Sequence, residues 1–151
     1  MDDLDFLLEE AQPPHLDPAQ ALEAVRADLL DWASQALVAR HPELRKARGT
    51  QVVAHGRRDM DAHVRHLHAA LIRQDASELT AYLRWAQQQE RHASLPADLE
   101  VLHEALRRFL LPEQAEACGQ MLKVGTESAF RNPGPAEPSA AQAAASDDKA
   151  G

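Results

Sequence analysis

The chain has 151 residues, 44% of them apolar and 26% charged, with a formal net charge of −8. That length holds one domain and not two, because roughly twenty C-terminal residues carry no large apolar side chain with which to offset their own ordering entropy. Cys118 is the only cysteine, which excludes an intrachain disulfide and a thiolate metal cluster, and no apolar run approaches the roughly 18 residues of a membrane span.

Few aromatic and β-branched residues, set among many Ala, Leu, Arg, Glu and Gln, favour helix over sheet. The start Met1-Asp2-Asp3 has the wrong charge for a signal peptide, so a cytoplasmic protein is expected. The first fourteen residues form an acidic segment, with Asp2, Asp3, Asp5, Glu9 and Glu10 around Leu4, Phe6, Leu7 and Leu8. Leu4, Leu7 and Leu8 share one helix face, but so short a helix is marginal alone, and the segment reads either as a frayed end or as a docking motif that folds against a groove. In the second reading these four apolar residues are candidates for docking, on a partner or on the basic 40–73 region of the same chain or of a dimer mate. Pro13-Pro14 separates them from the first long helix.

Asp17-Pro18 predicts the start of that helix, with Asp as N-cap and Pro at the first helical position. Leu22, Val25, Leu29, Trp32 and Ala36 then recur at helical spacing, until His41 before Pro42 ends the run near Arg40. A link containing Gly49 leads to a second helix over about 50–74, with Val53, Met60, Val64, Leu67 and Leu71 on its apolar face. Gly56 inside it costs roughly 1 kcal/mol relative to Ala, which predicts close packing or a local break there. Asp75-Ala76-Ser77-Glu78 reads as a capping box for a third helix over 76–92. Pro96 and Pro112 open a fourth and a fifth helix. The expected fold is all-α, a single up-and-down bundle of about five helices over residues 15–130, followed by a disordered tail at 131–151.

Six of the eight histidines lie between His41 and His92. On the second helix His55, Asp59, His63 and His66 fall on one side, bordering the apolar stripe. Their residue types and spacing make them a candidate metal set, with His92 or His103 as a ligand from a second element. Imidazoles near Asp59 and Asp61 also suggest a patch that titrates near neutrality. Trp85 lies off the apolar face of its helix, beside Tyr82, so His63, His66, Tyr82 and Trp85 form a candidate ligand-binding group. Asp61-Ala62-His63 starts like the Asp-x-His-x-x-Gly loop of cobalamin-binding domains, but His66 stands where that motif needs Gly.

Eight Lys or Arg residues (40, 45, 46, 48, 57, 58, 65 and 73) face only Glu43, Asp59 and Asp61 within 40–73, making that stretch basic. The acidic total and the lack of a reader helix argue against nucleic acid as a partner. There is no phosphate loop, no nucleophile elbow and no Glu-x-x-His pair, so no catalytic residue is assigned. Cys118 has the spacing of an inert core thiol.

Ala-Arg-His-Pro-Glu-Leu (39–44), Arg57-Arg58-Asp59-Met60 with His63, Leu67, Ala70 and Leu71, and Tyr82-Leu83-Arg84-Trp85 with Pro96 and Leu99 together resemble a poorly characterised bacterial helical domain. Such domains occur near cobalamin-binding or other sensory modules in regulators, and the resemblance covers about half the chain. It implies Asp59, His63, Tyr82 and Trp85 as the positions to watch. The chain carries no cobalamin-binding domain beside this one. The combined expectation is a non-enzymatic regulatory or protein-interaction module, with a protein partner or self-association and no cofactor required by the sequence. The alternative is a sensor holding a small ligand, tetrapyrrole or metal between helices near His63 and Trp85.

Overall fold

The computed structural model describes residues 16–89 and 94–131, and these contain helices but no strand. Five long helices, α1 (Pro18–Arg40), α3 (Val52–Arg73), α4 (Ser77–Gln87), α5 (Leu95–Phe109) and α6 (Pro112–Arg131), are joined by a short α2 (Glu43–Arg48) and a 3-10 turn (Gly49–Gln51). The expected N-terminal segment with Leu4, Phe6, Leu7 and Leu8, the residue His92, and the expected tail beyond Arg131 lie outside the described residues.

The local signals act where the chain places them. Asp17 accepts from the Gln20 backbone N–H at 2.8 Å while the Gln20 side chain accepts from the Asp17 N–H at 3.1 Å, a reciprocal capping box ahead of Pro18. At the C-terminal end of α3, Gln74 takes the left-handed conformation (φ 54°). Its N–H bonds to the Leu71 carbonyl and that of Asp75 to the Ala70 carbonyl, the double closure of a Schellman stop made without glycine. The start of α4 differs from the expected box. Asp75 accepts from both the backbone N–H and the hydroxyl of Ser77 (3.0 and 2.7 Å), but Glu78 turns outward to pair with Arg73 instead of reaching back.

The link expected after Pro42 contains a helix of its own, α2, which ends at Gly49 with φ 67°. α4 also closes earlier than expected, at Gln87. Gly56 causes neither a break nor an unusually close contact: α3 is continuous, and a Cβ there would meet Leu37 at an ordinary 3.6 Å.

One core runs through the bundle, with Leu22, Leu29 and Leu37 of α1 meeting Met60, Val64 and Leu67 of α3 and Leu102 and Leu106 of α5. Neighbours in space are not all neighbours in sequence. α1 packs chiefly on α3 and then on α5, whereas α4 lies chiefly against α6. The α4–α6 crossing is close at Gly125, where a Cβ would lie 2.9 Å from Leu79. These contacts bring the inward faces of α3, α4 and α5 together at one place in the interior.

Candidate functional site

At that place three polar side chains meet. His63 on α3 falls between Met60 and Val64 on the buried face and is 0% exposed; Tyr82 on α4 is 2% exposed and Asp98 on α5 is 1% exposed. His63 Nδ1 lies 2.7 Å from the Tyr82 hydroxyl, and Nε2 lies 2.9 Å from Asp98 Oδ2. In the tautomer protonated on Nε2 the ring donates to Asp98 and accepts from the Tyr82 O–H, so each ring nitrogen has a partner. Asp98 sits in the first turn of α5, where the helix dipole favours a carboxylate, and its other oxygen accepts from the Ser94 hydroxyl at 3.1 Å.

The chain of bonds continues to the surface. Arg48, at the end of α2, donates to Ser94 Oγ at 3.3 Å and lies 3.6 Å from Asp59 of α3. The network thus ties α2, α3, α4 and α5 through Arg48, His63, Tyr82 and Asp98. Outside it, His66 stacks on the Tyr82 ring at 3.8 Å with the planes 15° apart, and Trp85 stands 6.1 Å from the same ring. Burial holds the His66 imidazole down at about 4, helped by the charge of Arg65 and by His63 in its charged form and opposed by Glu78.

The four residues of the expected ligand group, His63, His66, Tyr82 and Trp85, therefore share one cluster centred on Tyr82. His63 is not the border residue that helical periodicity suggests, because Tyr82 and Asp98 supply partners for both of its nitrogens in the core. The expected metal set does not assemble. His63 has no nitrogen left to coordinate with, His55 is exposed and Asp59 faces Arg48. Among the described residues no three His, Cys, Asp or Glu side chains are placed to hold a metal ion. His103 instead faces Gly119 on α6, with its imidazole lowered by burial, then by Arg107 and Lys123.

Asp98 is the site residue that sequence reasoning misses. It lies three residues after Leu95 and four before Leu102, on the buried stripe of α5, and a carboxylate on such a stripe is the one signal that could have found it. The basic character of 40–73 is also reduced by pairing. Arg40 meets Glu104, Arg48 meets Asp59, Arg57 meets Asp31, Arg65 meets Asp61 and Arg73 meets Glu78. Cys118 is fully buried, and burial pushes its thiol up to about 12.

Carboxylate, imidazole and hydroxyl in series form the order of groups that activates a hydroxyl nucleophile. Here the hydroxyl is a phenol inside the core, with all three groups spent on one another. What this arrangement does well is fix the relative rotation of three helices, since a slip of any one leaves a buried polar atom without its partner. No match to this chain was found among protein-family models, curated proteins or solved structures.

Proposed function

We propose that the chain is a non-enzymatic helical module that works through protein–protein contact in a regulatory pathway, with the bundle as a rigid platform. The observation that carries this reading is the closed state of its most reactive constellation. His63, Tyr82 and Asp98 are 0%, 2% and 1% exposed and bonded to one another, which supports a structural role for them over a catalytic one. A buried polar network of this kind specifies one packing arrangement, which suits a surface that must be presented in a fixed shape. Ile72, Leu111 and Val124 are large apolar side chains left exposed on that surface.

The test is site-specific photo-crosslinking in host cells with the crosslinker at Ile72, Leu111 or Val124. A reproducible adduct with one protein, or with a second copy of the chain, at one position is the expected result. The half-buried His66 and Trp85 beside Tyr82 favour a second reading, a sensor for a small ligand, tetrapyrrole or metal near His63 and Trp85. That reading gains if the protein crosslinks to nothing but takes up haem, cobalamin or a divalent ion saturably, as followed by absorbance and elemental analysis.

A further inference from the structure

A groove of about 450 Å³ opens between the start of α1 and the turn joining α5 to α6. Its walls are Leu16, Ala21 and Val25 on one side and Phe109, Leu110 and Leu111 on the other. Leu111 at its edge is 41% exposed. Arg108 also borders the groove, with its guanidinium 5.0 Å over the Trp32 ring; it makes no ion pair among the described residues, and its charge also acts on Glu104.

We propose that this groove is the docking site of residues 3–9 of the same chain, Asp3-Leu4-Asp5-Phe6-Leu7-Leu8-Glu9. The inference goes beyond the interaction reading, because it names an occupant and holds whether or not a partner protein exists.

Three observations select that occupant. The first is position: Leu16 lines the groove itself, and its carbonyl accepts from Gln114 Nε2 at 3.2 Å, so the residues before it depart from the groove's rim. Residues 10–15 can span about 20 Å when extended, whereas the α1 wall from Ala21 to Val25 is only about 6 Å long. Pro13-Pro14 interrupts any continuous helix and so permits the chain to double back.

The second is chemistry. Leu4, Leu7 and Leu8 fall on one face of a helical turn and match an apolar groove, while Asp3, Asp5 and Glu9 on the same segment match Arg108. The third is competition. Of the eight basic residues of 40–73, Arg40, Arg48, Arg57, Arg65 and Arg73 already have carboxylate partners; Arg45, Lys46 and Arg58 make no ion pair among the described residues, but the groove beside α2 is bordered by Glu43 and Glu100, which repel an acidic segment. Tethering supplies an effective concentration in the millimolar range, so even a weak apolar contact is populated.

Paramagnetic relaxation tests this in the full chain, with a nitroxide at Asp2→Cys and Cys118 left in place, since its buried thiol resists labelling. Amides of Val25, Arg108 and Leu111 are expected to broaden, and the broadening to disappear in Leu7→Asp. Circular dichroism of Leu7→Asp is recorded alongside, so that loss of docking is read separately from loss of the fold. Arg108→Glu should reduce the effect at low salt. Broadening confined to α3, or none at all, overturns the proposal. So does broadening of isotope-labelled chains by spin-labelled ones in a mixed sample, because the occupant is then a second copy.

Discussion

His63 lies on the buried face of α3 beside Val64, one step inside the border that helical periodicity assigns it, and its two hydrogen bonds are what make that position tenable. Tyr82→Phe removes the hydroxyl and leaves Nδ1 buried without a donor, a loss of about 1–3 kcal/mol. Denaturant unfolding measures it, and a double-mutant cycle with Asp98→Asn should be strongly non-additive, because both residues act through one imidazole. If Tyr82→Phe is neutral, the network is not holding the three helices together.

His66 makes a separate prediction at the same scale. Its imidazole is lowered from an ordinary 6.5 to about 4, first by burial and then by Arg65 and His63. Between those values the unfolded chain binds a proton that the folded chain does not, so the contribution is complete above 6.5 and is lost as pH falls toward 4. Unfolding midpoints of the wild type should therefore drop with acidification more steeply than those of His66→Phe, which keeps the stack on Tyr82 without the titrating group. Parallel curves for the two proteins would remove this assignment.

The elements show how two glycines with the same local cost differ in meaning. In α3, Gly56 has room for a methyl group at an ordinary distance from Leu37, so Gly56→Ala should stabilise the protein by up to about 1 kcal/mol. In α6, a Cβ at Gly125 falls 2.9 Å from Cγ and Cδ2 of Leu79, where α4 crosses. Leu79 is fully buried and has nowhere to move, so Gly125→Ala should cost about 1–3 kcal/mol despite its better helix propensity. Thermal or denaturant unfolding of the two variants gives the signs. Both glycines stand inside helical patterns in the sequence, and only the neighbouring helix separates them.

Over the whole molecule, the features legible in advance were those decided within a few residues. Asp17 and Pro18 start α1, Pro42 lies just past its end, and Pro96 and Pro112 open α5 and α6, because capping and proline geometry act over one helical turn. The apolar stripes of α1 and α3 likewise came from the 3.6-residue period, and with them the all-helical fold. The grouping of His63, His66, Tyr82 and Trp85 was also within reach, because two amphipathic helices joined by a short turn present adjoining faces. Depth and partners were not. His63 and Asp98 are separated by 35 positions. Periodicity assigns each a direction on its own helix, but the α3–α5 packing determines that the two directions meet and that water is excluded between them. The same holds for the basic stretch, five of whose eight cations meet Asp31 of α1, Glu78 of α4, Glu104 of α5 or the local Asp59 and Asp61. By itself, then, the sequence determined a helical bundle and where most of its helices begin and end, since those are short-range free energies. Only the tertiary structure turned a row of histidines beside a hydrophobic stripe into one fully bonded imidazole at the centre of the core, because a buried polar atom takes its partners from whichever helices pack against it.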